Sequence, residues 1–199
     1  MKKILLSMMC LSFVIVSTTS CQSKTDTQVV PSKSDVVNEN MLSRHSVRKY
    51  TAQQVGRDTV DLILKSGINA PSARNEQPWE VRVVRDTTFL AQIKAVSPHF
   101  YDAPTLIIVA NDTTNGFSSF DAGLFTENVM LSAESFGLGT VALGMVAGAL
   151  NSGTPEANAV LGKLQFPENY RVIIGIALGH KAEFPAAKER NPQKVKILE

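Results

Sequence analysis

Two short apolar runs limit the architecture of this chain more than any other feature: TLIIVA at 105–110 and YRVIIGIAL at 170–178. The first lies between Pro104 and the turn-forming NDTTNG at 111–116, which makes it a buried-strand candidate, and the second is the strongest strand of the chain. WEVRVVR at 79–85 alternates, with Val81 and Val83 on one face, and reads as a third strand. Helical spacing starts at Asp35 and recurs from Arg57 to Asn69, where Val60, Ile63, Leu64 and Gly67 share a face until Pro71 stops it. It returns over Thr88–Val96, over Phe120–Phe136 with small residues at Ala122, Gly123 and Ala133 and a stop at Gly137, and over Thr154–Leu164. Gly139–Met145 is short and apolar, and the last twenty residues form a polar arm with Pro185 and Pro192. Helices and strands alternate, but their connections are too irregular for a doubly wound sheet, so the expected class is α+β.

The N-terminus follows a different logic. Lys2-Lys3, the apolar ILLSMMCLSFVIV at 4–16 and the small-residue STTSC at 17–21 read as the three parts of an export signal. As a helix the apolar run spans about 20 Å, short of the roughly 30 Å hydrocarbon core. Small residues ahead of Cys21 resemble a bacterial lipoprotein signal, although Thr18 stands where that motif usually has leucine. The expected organisation is a signal peptide at 1–20, a polar tether at 21–34 starting from a lipidated Cys21, and a folded domain at 35–199. It describes an exported lipoprotein held on a membrane and facing the periplasm or cell exterior.

Removing that leader changes the charge balance. The whole chain carries 20 Lys+Arg against 18 Asp+Glu, and Lys2 and Lys3 account for the excess, so the body is formally neutral. A neutral body lacks the field that gathers a polyanion, and no nucleic-acid partner is expected. No cysteine occurs after Cys21, which rules out an internal disulfide framework, a Cys-ligated metal and a Cys nucleophile in the domain. His45, His99 and His180 are scattered without H-E-x-x-H, no G-x-S-x-G occurs, GLG at 137–139 lacks the strand-to-helix context of a dinucleotide fingerprint, and GIALG at 175–179 lacks the Lys-Ser/Thr of a phosphate loop. No metal site and no catalytic acid, base or nucleophile is expected.

Three segments hold candidate binding chemistry. Arg44-His45-Ser46-Val47-Arg48 places two guanidinium groups four apart; on a helix they project from one face around a hydroxyl, a fit for phosphate or carboxylate oxygens. A solvated basic face explains the same residues. APSARNEQPW at 70–79 fixes Ser, Asn and Gln in a loop between two prolines, and such groups can read the amide edge of a planar ring; a polar turn closed by tryptophan is the plainer account. Lys188-Glu189-Arg190 adds two cations in the arm, which alone are a solvated charge run.

Together and in this order, RHSVRKY, APSARNEQPW, APTLIIVA, a long helix leading to GLGTVALGM, and GHKAEFPAAKER resemble the nitroreductase family of FMN-dependent oxidoreductases, from Met41 to Arg190. The resemblance implies a three-layer α+β fold, a central mixed or antiparallel sheet flanked by helices, and a homodimer with two FMN sites built from both chains, the helix at 120–136 joining that contact. By position it implies that Arg44, His45, Ser46 and Arg48, with Lys188 and Arg190, hold the flavin's phosphate and ribityl chain. Asn75 is then expected at the polar edge of the ring, with Pro71 and Ser72 approaching from the partner. The loop around Leu143, Gly144 and Met145 is expected to lay its backbone beside the ring, where Gly144 permits close approach.

The implied activity is a ping-pong reduction of nitroaromatic, quinone or similar electron-poor acceptors, with NAD(P)H the family's usual donor and the flavin as the reacting centre. Val141, Ala142 and Met145 depart in size from small family members, where substrate shape is set. Export conflicts with a nicotinamide donor, which is not expected to be free outside the cytoplasm. It leaves open a flavin dehydrogenase with another donor, or a lipid-anchored flavin-binding carrier without turnover.

Overall fold

A computed structural model describes residues 30–199; the expected signal peptide at 1–20, Cys21 and most of the expected tether lie outside the described residues. The first helix, α1 (Lys33–Ser43), begins two residues before the expected Asp35 because Ser32 and Asp35 form a reciprocal capping box. No residue of α1 is buried, and Asn40 Nδ2 ties it to the long helix by donating to Leu131 O at 3.0 Å.

Four strands form one antiparallel sheet in the order β1 (Trp79–Val84), β2 (Thr105–Asp112), β4 (Tyr170–His180), β3 (Leu138–Leu143). The two apolar runs are its central strands. β2 is buried on both faces: Leu106 and Ile108 join the core under α3 (Thr87–Val96), α5 (Gly144–Leu150) and α6 (Pro155–Leu164), while Ile107 and Val109 join the core under α2 (Arg57–Ile68) and α4 (Ser118–Ser135). Helices therefore cover both faces, giving three layers.

The helix boundaries follow local chemistry. Asp86 caps α3 by accepting the Phe89 N–H at 2.7 Å, and Thr154 caps α6 with Pro155 at its first position. α4 starts two residues earlier than the apolar spacing indicates and ends before Gly137, which takes φ +71°. α2 and α4 approach closely at Gly67, where a Cβ would stand 2.6 Å from Val129 Cγ2.

Two expectations need correction. Arg44–Arg48 is not helical: α1 ends at Ser43, Arg44 has φ −63° and ψ 121°, and Ser46 forms a parallel bridge with Thr140. β3 is an edge strand with unpaired backbone groups. The segment satisfies them, Val47 N–H donating to Thr140 O at 3.0 Å while its buried side chain fills the space left by Gly139. Leu143-Gly144-Met145 is likewise not a loop. Leu143 ends β3 and Gly144 starts α5 directly, because Gly175 on β4 leaves room for Val146 to pack against the sheet.

Candidate functional site

The extended segment Arg44–Arg48 runs beside β3, so its pairing with Thr140 sets it along the strand that ends at Leu143 and leads into Gly144. A second clamp holds its C-terminal side. Glu183 Oε1 accepts the Arg48 N–H at 2.5 Å, Ala182 N–H donates to Lys49 O at 2.9 Å, and Tyr50 OH donates to Val47 O at 2.5 Å. Burial pushes the Tyr50 phenol well above its ordinary range, Arg48 opposing. The phenol stays a donor through the neutral range.

The basic residues do not act as one set within the chain. Arg44 is mostly buried, with Nε 3.7 Å from Glu127 on α4. Arg48 is exposed, stands 6.0 Å over the Tyr101 ring and forms no ion pair among the described residues. His45 Nδ1 contacts the Ser43 carbonyl. Lys188 and Arg190 are exposed on the C-terminal arm, where Arg190 Nη1 donates to the carbonyls of Lys188 and Glu189 at 3.2 and 3.4 Å. Gly144 opens onto space: a Cβ there would meet nothing within 4 Å. Met145 beside it is exposed.

The third segment is a tightly wound turn at the head of β1. Arg74, Asn75 and Gln77 all have positive φ, at 53°, 58° and 47°, a conformation costing roughly 1–2 kcal/mol for a residue with a Cβ. Ser72 organises the turn: its carbonyl accepts the Asn75 N–H at 2.9 Å and its Oγ accepts the Gln77 N–H at 3.0 Å. Glu76 accepts from Arg74 Nε at 2.7 Å and from Asn115 Nδ2 at 2.6 Å. Among the described residues nothing hydrogen-bonds the Asn75 side-chain amide, which is exposed, as is Pro71.

β1 and β3 are the two edges of the sheet, three strand spacings or roughly 14 Å apart. One chain thus carries the 71–78 turn at one edge and the Arg44–Arg48 and Gly144 segments at the other. A separate cavity of about 500 Å³ lines β1 with Arg57, Arg82, Arg85 and Lys163. Those cations are already engaged: Arg57 pairs with Asp61, Arg82 donates to Leu164 O, Arg85 to Val55 O and Lys163 to Gln92.

Two acidic residues escaped the sequence analysis. Asp121, 1% exposed on α4, accepts the Ala73 N–H; the detectable signal is its helical register with Phe125 and Val129 on a buried stripe. Glu134 pairs with Lys181 Nζ at 2.7 and 2.9 Å in a largely buried bridge from α4 to the end of β4, a contact between distant residues with no local signal. Among the described residues no cluster of three or more His, Cys, Asp or Glu could hold a metal ion. No described helix is long and apolar enough to cross a membrane.

The model of the nitroreductase family matches residues 41–97 and 91–180. A relative from Methanothermobacter thermautotrophicus is 34% identical, with 79% of this chain and 83% of its own length covered. An FMN reductase [NAD(P)H] of Bacillus subtilis is 27% identical over 78% of this chain and 70% of its own. Among solved structures, a nitroreductase with bound FMN from Bacteroides fragilis is 30% identical with TM-score 0.73, covering 82% of this chain and 98% of its own. A nitroreductase with bound FMN from Desulfitobacterium hafniense reaches TM-score 0.76 at 25% identity over the same shares.

Proposed function

The chain belongs to the nitroreductase family, and from that premise we propose that it is an FMN-dependent NAD(P)H oxidoreductase acting as a homodimer. The carrying observation is the pair of features that β3 holds: a basic, extended segment pinned beside the strand at Thr140, and, where the strand ends after Leu143, a glycine whose side-chain position is open. The residues fit FMN. Among the described residues Arg48 offers a guanidinium fork without a carboxylate partner, suited to phosphate oxygens. Ser46 is held in register by Thr140, and the bare backbone at Gly144 admits a planar ring. FMN, when bound, supplies the transfer of hydride or electrons, which accounts for a site without an acid–base pair or a nucleophile.

Arg44, His45, Ser46 and Arg48 with Lys188 and Arg190 are assigned to the phosphate and ribityl chain, Arg44 through its partnership with Glu127 rather than as a free cation. The backbone of Leu143, whose side chain is buried in the core, lines the ring together with Gly144 and the exposed Met145. The placement of the 71–78 turn at the opposite sheet edge supports Pro71, Ser72 and Asn75 serving the site of the other protomer. Nitroaromatics, quinones or similar electron-poor compounds are the acceptor class. Steady-state rates with NAD(P)H and a quinone should give parallel double-reciprocal lines; converging lines contradict a face used alternately by donor and acceptor.

The leader supports an exported protein lipidated at Cys21. In that location a donor other than NAD(P)H, or a carrier role, becomes the competing reading. Labelled palmitate should enter the wild-type protein and not Cys21→Ala; equal labelling of both overturns the anchor.

A further inference from the structure

The 71–78 turn is fixed from outside by a carboxylate that the proposed chemistry does not use. Asp121 lies in the first turn of α4, and both of its oxygens face the Ala73 N–H, at 3.3 and 3.2 Å. Helical spacing sets it among Ala122, Phe125 and Val129 on the buried face, where an apolar residue would add to the core. A buried carboxylate is tolerated when hydrogen-bonded and near positive potential; the Ala73 N–H and the positive end of α4 provide both. What it holds is a turn with three left-handed residues, a backbone inclined to relax. Two of the turn's inner hydrogen bonds meet at Ser72 and a third, from the Glu76 N–H, ends on the Ala73 carbonyl, so fixing Ala73 fixes that hub against α4.

We propose that Asp121 is a positioning residue: by pinning the Ala73 N–H it preforms the 71–78 turn, with the Asn75 amide presented outward for the edge of the flavin ring. This rests on the FMN reading above. The flavin-free protein can report it, because Arg74 is an exposed trypsin site and Trp79, the chain's one tryptophan, follows the turn and packs 5.6 Å from Phe125 of the same helix.

In the flavin-free protein, Asp121→Ala should speed tryptic cleavage after Arg74 by about fivefold or more and shift Trp79 emission. FMN affinity, followed by quenching of flavin fluorescence, should fall about tenfold or more. Asp121→Asn keeps an accepting oxygen and should stay within about threefold on both measures. Ala73→Pro removes the donor instead; Ser72 has ψ 155° and Ala73 starts the turn, a position open to proline. It should weaken FMN binding in the wild-type background and add nothing to Asp121→Ala.

Wild-type cleavage and affinity in Asp121→Ala overturn the proposal, as do an Asp121→Asn variant as impaired as Asp121→Ala and additive effects in the double variant. Should Asp121→Ala fail to fold, a neutral Asp121→Asn with an impaired Ala73→Pro supports the proposal, and the reverse overturns it. A protein whose cleavage shifts as expected but that binds no FMN overturns the FMN reading and leaves the pinning.

Discussion

At Gly144 a methyl group would meet nothing within 4 Å among the described residues, so alanine there adds no internal clash and favours the helix that begins at that residue. Gly144→Ala is expected to keep Tm within about 2 °C of wild type while weakening FMN binding about fivefold or more, measured by flavin fluorescence. Unchanged affinity would move the ring away from this backbone. Arg48→Ala should weaken FMN retention about tenfold, the loss of a charge-assisted contact, and an unchanged dissociation constant would make Arg48 a solvated cation. The identities of these residues were legible in the sequence through ordered motifs. Their states were not: the engagement of Arg44 by Glu127 and of Ala73 by Asp121 depends on side chains that only the fold brings together.

Among the elements, the contact of α2 with α4 depends on Gly67, whose added Cβ would stand 2.6 to 2.9 Å from Val129 and Phe125. Gly67→Ala should lower stability by about 1–3 kcal/mol in denaturant unfolding; a stability equal to wild type would mean that the two helices separate freely. The 71–78 turn adds a pH dependence. The hydrogen bond from Arg74 is the main cause holding the Glu76 carboxyl below its ordinary range, with Asn115 contributing and partial desolvation opposing. A depressed folded pKa means that its contribution is complete above the unfolded value and is lost as pH falls through the folded one. Trp79 emission should therefore hold through the ordinary carboxylate range and change only as the pH falls below it, and Glu76→Gln should abolish that step.

Strands β1, β2 and β4 and helices α2, α3, α4 and α6 were readable because apolar periodicity reflects burial, as in β2 and α2, and the start of α1 was legible too, whereas β3 read only as a short apolar stretch. α5 was not, since GMVAGAL is short and small and is held by Val146 packing at Gly175. The Arg44–Arg48 segment misled for a related reason. Its i, i+4 cations match a helix, but the open edge of β3 recruits the chain into an extended form.

For the whole molecule, the two halves of the proposed site lie at opposite edges of one sheet, the arrangement expected if a second protomer completes it. Co-expressed Arg48→Ala and Asn75→Ala chains test this directly. If each site takes Arg48 from one protomer and Asn75 from the other, the mixed dimer has one intact site and regains about half of the FMN capacity of wild type; if both come from one chain, no site is intact. The three-layer class and the family were legible from ordered motifs spanning most of the chain, whereas the distribution of the site across two edges required strand order, which no local pattern encodes.

On the proposed function, this neutral, cysteine-free body holds one FMN per chain and cycles it between donor and acceptor. Anaerobic titration of the purified protein, followed by visible absorbance, tests that most directly. The expected result is a yellow protein that bleaches with NADH or NADPH and recolours when a quinone or nitroaromatic is added. A colourless protein that cannot be reconstituted with FMN, or a yellow one that no nicotinamide bleaches, would contradict it.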